Sequence, residues 1–187
     1  LADPVSYTFI LSDTKIDLNA LLGKQLELSF TGNIHCIQCS RKTNKSFQQG
    51  YCYPCYRRLQ ECNMCMLHPE RCLIESKGCP EDDWAHRHCH QKHIVYLANS
   101  SSLKVGITRH SNVPSRWIDQ GACQALPICE VSNRRQAGRV EVAIKQFVSD
   151  RTNWRKMLQG SPDFIDLVQE QQRLLGEADN DIAAIVQ

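Results

Sequence analysis

The sequence predicts an α+β protein: a small N-terminal β segment and a cysteine-rich, zinc-ribbon region, followed by a three-stranded antiparallel sheet flanked by helices. Three observations carry this. Nine of the eleven cysteines fall between Cys36 and Cys89, in repeated Cys-x-x-Cys pairs. Apolar residues alternate with polar ones near the N-terminus and again after His93, the period of half-buried strands. From about residue 135 the apolar period lengthens to that of helices.

The 187 residues are 42% hydrophobic and carry a net charge of +2, enough chain to bury a core in one or two domains. No apolar run approaches a membrane span, and no signal-peptide layout opens the chain. It begins at Leu1 and stops at Gln187 inside an apolar helical pattern, as a piece of a longer protein would. A disulfide scaffold would spread its bridges through a shorter fold, so the cysteine pattern points to metal in a reducing cytoplasm. The charge is unevenly placed: residues 94–160 carry a net +6 and residues 161–187 a net −5. A basic module beside an acidic end suggests a polyanion partner, with nucleic acid, DNA or RNA, the commonest.

The expected order is a β segment over 1–32, the metal-binding region over 33–92, a sheet-and-helix module over 93–160 and a helical extension over 161–187. Val5, Tyr7, Phe9 and Leu11 form one expected strand and Leu26, Leu28 and Phe30 a second, joined through residues 12–25.

Cys36-x-x-Cys39 and Cys52-x-x-Cys55 spell a four-thiolate zinc ribbon over 36–55. Each pair makes a knuckle that aims two sulfurs at one point, and four thiolates leave no open position, so this zinc is structural. A second cluster spans 62–93 and offers Cys62, Cys65, Cys72, Cys79, Cys89 and His93. A second zinc on Cys62, Cys65 and two later residues is the simplest reading, with a four-cysteine iron–sulfur cluster as the alternative.

Val95, Leu97, Leu103, Val105 and Ile107 occupy odd positions on two runs separated by Asn99-Ser-Ser-Ser102, a hairpin facing a core. Tyr96, Lys104, Gly106 and Thr108 then share the other face. A loop centred on Ser100 would set Tyr96 opposite Lys104, and Gly106 would leave room for a ligand. A short helix follows between Ser111 and Gly121, then a strand from about Ala125 to Val131. A helix over 135–149 carries Val140, Ile144, Phe147 and Val148 as its stripe, with Glu141 beside it. Ser161-Pro162-Asp163 opens a last helix through Phe164, Val168 and Leu175. Trp117 and Trp154 read as core anchors, and Cys123 and Cys129 as small buried hydrophobes.

Ile94-Val95-Tyr96, Lys104-Val105-Gly106, the Arg116-Trp117 pair and Glu141 resemble the GIY-YIG nuclease domain over about residues 93–156. The resemblance implies a catalytic face holding Tyr96, Lys104 in the place of the second tyrosine, Arg116, Glu141 as ligand of Mg²⁺ or Mn²⁺, and, more weakly matched, Asn153. Lys104, Arg109 and Arg116 would contact nucleic acid. In this scheme a neighbouring cation, Lys104, would lower the Tyr96 pKa so that it could act on water. With Gln49-Gly50-Tyr51-Cys52-Tyr53-Pro54-Cys55, Pro69-Glu70-x-Cys72 and Arg116-Trp117-Ile118-Asp119-Gln120-Gly121-Ala122, the whole chain is similar to a bacterial cysteine-rich family of unknown function with a GIY-YIG-like half.

Singly, each residue also has a structural reading: Tyr96 as a strand aromatic, Arg116 paired within its helix, Glu141 paired with Lys145. Three functions therefore compete: a metal-dependent endonuclease, a non-catalytic nucleic-acid-binding module, and a metal or redox sensor built on an iron–sulfur cluster.

Overall fold

A computed structural model describes residues 5–11, 13–79 and 82–186. The chain divides into two compact units, residues 1–53 and 54–187.

In the first unit, β1 (Thr8–Leu11) pairs antiparallel with β2 (Thr14–Asp17), placing Phe9 opposite Ile16. The expected second strand is thus misplaced, because residues 26–30 form no strand and Leu28 and Phe30 are exposed. The hydrogen bonds of β1 go to its immediate neighbour instead. Asn19 closes the base of this hairpin: its Oδ1 accepts from the Tyr7 amide at 2.8 Å and its Nδ2 donates to Val5 O at 2.9 Å. Further on, β3 (Ile34–His35) and β4 (Lys42–Thr43) pair antiparallel and bracket the first knuckle.

In the second unit, four short helices precede the sheet: α1 (Tyr53–Arg58), α2 (Met64–Leu67), α3 (Ile74–Lys77) and α4 (Asp82–His88). The sheet consists of β5 (His93–Asn99), β6 (Leu103–Arg109) and β7 (Gln124–Val131), all antiparallel in the order β6-β5-β7. A bulge falls on β7 where Val95 opposes Cys129 but Tyr96 opposes Pro127. Edge and bulge are the places where a strand tolerates a residue without an N–H.

Every residue of β5 is buried because both sheet faces are covered. On one face Val95, Leu97 and Val105 pack with Val140 and Ile144 of α6 (Arg134–Ile144). Leu174 of α8 (Leu167–Glu177) and Ile185 of α9 (Asp179–Val186) complete that core. On the other face Ile94, Tyr96 and Ala98 pack with Val113 and with Trp117 of α5 (Ser115–Asp119). Odd and even positions therefore divide as the alternation predicts.

Several details differ from the sequence expectation. The hairpin is centred on Ser101, so Tyr96 faces Gly106, and Lys104 faces Ala98. The helix expected over 135–149 ends at Ile144, because the chain leaves it to lie along the edge of β6. There Val105 N donates to Ser149 O at 2.9 Å. Phe147 is consequently exposed. The last helical region starts at Leu167, capped by Asp166, whose carboxylate accepts from the amides of Val168 and Gln169. Residues 163–165 are held off the helix by two buried or half-buried amides. Asn99 Nδ2 donates to Asp163 O at 2.8 Å, and the Ile165 amide donates to Gln124 Oε1 at 3.0 Å. Phe164 is exposed, and the stripe runs through Leu167 and Leu174. Trp117 does anchor a core, but Trp154, the first residue of α7 (Trp154–Met157), is 56% exposed with Arg155 over its ring. Cys129 packs against the core as a small hydrophobe, whereas Cys123 is exposed. Among the described residues no helix is long and apolar enough to cross a membrane.

Candidate functional site

The ribbon cysteines converge. The Sγ atoms of Cys36, Cys39, Cys52 and Cys55 all lie within 4.8 Å of one another. Local backbone sets this up: Cys36 N donates to Arg41 O, and Ser40 N donates back to Cys36 O, closing the knuckle. With Zn–S bonds of about 2.3 Å, the edge of a thiolate tetrahedron is about 3.8 Å. Cys39 Sγ and Cys52 Sγ stand 3.7 Å apart. Burial pushes the Cys36 thiol up, but backbone hydrogen bonds with Cys52, Cys39 and Gln38 bring it down to about 6. A thiol so tuned is ionised at neutral pH, which is the form that binds metal. Geometry and donor chemistry both fit a zinc ion.

The second cluster is not gathered in this way. Among the described residues, no three of its cysteines and histidines meet as closely as the first four. Cys65, Cys72 and Cys89 do line one small cavity, while Cys62 and His93 stand outside it. His93 is fully buried at the start of β5, with Nδ1 2.7 Å from Gln91 O. Burial lowers its pKa to about 4, so it is a neutral core histidine at pH 7.

The other feature is a cleft of about 550 Å³ along β6. Tyr96, Lys104, Arg116 and Glu141 all line it, as does Arg109. Asn153 does not. Its Oδ1 accepts from the Lys156 amide at 3.2 Å, capping α7, and its neighbour Thr152 reaches the cleft instead.

Each side chain is placed by its element. Tyr96, 1% exposed, lies across the strand pair over Gly106, where a Cβ would stand 2.8 Å from the Tyr96 Oη. The missing side chain therefore makes room for the tyrosine ring rather than for a ligand. Trp117 meets that ring edge-on at 5.9 Å. Gln120 Nε2 donates to Tyr96 Oη at 2.6 Å. Burial raises the Tyr96 pKa, against the pull of Gln120 and Arg116. The neighbouring cation that does pull it down is Arg116 rather than Lys104, and burial of the phenol outweighs that pull.

Lys104 is buried and donates to Thr152 Oγ1 at 2.6 Å. Burial and then the Arg116 charge lower its pKa. Glu141 is half-buried on α6, and burial is the first cause that raises its carboxyl to about 7. The Asp150 carboxylate adds to the rise, Lys145 and Arg134 oppose it, and Glu70 raises it further. Glu70 is near because Gly138 of α6 lets the Pro69–Arg71 turn approach: a Cβ there would meet Pro69 Cγ at 2.6 Å.

The structure adds Gln120, Arg134, Asp150 and Thr152 to the cleft. Gln120 lies four residues beyond Arg116, and Arg134 seven before Glu141. Helical spacing alone would have put each pair on one face. Asp150 and Thr152 sit in an irregular segment that no periodicity marks. The lining holds four cations (Lys104, Arg109, Arg116, Arg134) against two carboxylates (Glu141, Asp150), an excess suited to a polyanion.

A family model described as a protein of unknown function (DUF2797) matches residues 23–187. The chain belongs to the DUF2797 family. The match spans the four-cysteine ribbon and the whole sheet module, in keeping with the resemblance to a cysteine-rich family of unknown function. No curated protein and no solved structure matches the chain.

Proposed function

We propose that this protein is a metal-dependent nuclease whose GIY-YIG-like module hydrolyses phosphodiesters in DNA or RNA, with a structural zinc in the ribbon. The observation that carries this reading is the shared cleft: Tyr96, Lys104, Arg116 and Glu141 come from two strands and two helices, yet line one cationic groove. Separate structural roles give no reason for them to meet.

Glu141 and Asp150 supply carboxylate oxygens, the donors that Mg²⁺ or Mn²⁺ prefers. Glu141, whose ionisation the Asp150 carboxylate makes costlier, gains from a cation beside it. When bound, that cation would make a bound water more acidic and stabilise the departing oxygen. Arg116 offers two parallel N–H donors to phosphoryl oxygens. Lys104, held by Thr152, adds fixed positive charge on the cleft floor. Tyr96 accepts from Gln120, so its own O–H remains to donate to a phosphate oxygen or the leaving group. That replaces the base role with a donor role. Arg109 extends the phosphate track along β6.

The test is cleavage of a mixed pool of single- and double-stranded DNA and RNA with Mg²⁺ or Mn²⁺. Expected is cleavage by wild type and at least a 100-fold loss, on the order of one electrostatic contact to the transition state, in Glu141→Gln and in Arg116→Ala. Binding without cleavage would leave the non-catalytic module standing. Cleavage that persists in both variants would remove the cleft from the chemistry.

A further inference from the structure

We propose that Cys65, Cys72, Cys79 and Cys89 bind a second zinc ion as a four-thiolate site, with Gln60 and Arg134 donating hydrogen bonds to its sulfurs. Its ligands are different residues from those of the nuclease reading, and it stands or falls apart from that reading.

Three of the six candidates share one cavity, which His90 also lines. Cys65, Cys72 and Cys89 line one cavity of about 20 Å³ beside Pro69 and Arg134. Cys79 is not in that lining, but it stands close enough for a charge interaction with both Cys65 and Cys89. Neither Cys62 nor His93 lines the cavity.

The surroundings are built for negatively charged sulfur. Gln60 Nε2 points at Cys65 Sγ from 3.6 Å. Arg134 Nη2 is anchored on Met66 O at 2.9 Å, and its buried Nε has no hydrogen-bond partner. A buried guanidinium N–H without an acceptor is costly. Arg134 lines the cavity together with Cys65, Cys72 and Cys89, so their sulfurs are the acceptors at hand. A four-thiolate zinc carries a net charge of about −2, so an N–H donor and a guanidinium are its natural second layer.

Four thiolates suit a single zinc ion, and the cavity is small, about 20 Å³. The sulfurs are less closely gathered than in the ribbon, and a bound ion would draw in the short α3 segment that carries Cys72 and Cys79 at its flanks. Arg134 lines both this cavity and the cleft holding Glu141, so the ion would also fix one cationic wall of the groove.

The experiment is zinc counting on the full chain by native mass spectrometry and elemental analysis, joined to a cysteine alkylation map of the wild-type protein. Two zincs per chain are expected, falling to one in Cys72→Ser/Cys89→Ser and staying at two in Cys62→Ser and in His93→Gln. In wild type, Cys65, Cys72, Cys79 and Cys89 should resist alkylation until a chelator is added, a readout that needs no variant to fold. One zinc in wild type, a second zinc surviving the double substitution, ready alkylation of these four thiols, or iron with visible absorbance would each overturn the proposal.

Discussion

Replacing Glu141 by glutamine should stabilise the protein at alkaline pH and leave it nearly unchanged in acid. The carboxyl rises from its ordinary 4.5 to about 7 in the folded chain, first because burial disfavours its charge and then because Asp150 repels it. Below pH 4.5 the group is protonated in both folded and unfolded chains and costs nothing. As pH rises through 7 the folded protein must ionise a half-buried carboxylate, and stability is lost. At about 1.4 kcal/mol per pH unit, the displacement is worth about 3 kcal/mol, of which about 2 should be lost between pH 5.5 and 8.5. Urea denaturation of wild type and Glu141→Gln, with zinc retained and no Mg²⁺ or Mn²⁺ added, measures it. The two stability curves should converge towards pH 5 and separate by about 2–3 kcal/mol at pH 8.5. Adding Mg²⁺ should close part of that gap, and Asp150→Asn should move the wild-type midpoint downwards. Parallel curves for wild type and Glu141→Gln over this range would refute the buried, repelled carboxylate and the cation site argued from it.

Two further predictions concern the scaffold of the cleft. Gly106→Ala places a Cβ 2.8 Å from Tyr96 Oη and 2.9 Å from Cζ. Tyr96 is wedged against Trp117, so the ring must tilt, and denaturation should show a loss of about 1–3 kcal/mol; an unchanged midpoint would mean that the ring does not cross the strand at Gly106. Asn99→Leu removes the donor shared by Gln124 Oε1 and Asp163 O in a fully buried setting. It should cost about 1–3 kcal/mol, with limited proteolysis opening first near residues 160–166.

How far the sequence was legible depended on how local each determinant is. Cys-x-x-Cys spacing places two sulfurs through a few backbone dihedrals, and the four ribbon thiols meet as read. Period-two alternation sorted β5 and β6 into two faces correctly. It did not set the register: parity is the same whether the loop is centred on Ser100 or Ser101, and only the closed hairpin put Tyr96 over Gly106. The alternating Leu26–Phe30 run forms no strand, because strands also need a partner edge.

The amino-acid order alone thus determined the four-cysteine ribbon and the sheet module, since these follow from neighbours within a few residues. The tertiary structure decided what the polar residues do. Asn153 became a helix cap, and Tyr96 a desolvated phenol. Asp150 and Thr152 entered the cleft because the chain returns along β6 at Ser149, and Glu70 neared Glu141 because Gly138 lets a turn approach. Charge, burial and proton affinity are set by residues distant in the chain, and local pattern carries no record of them.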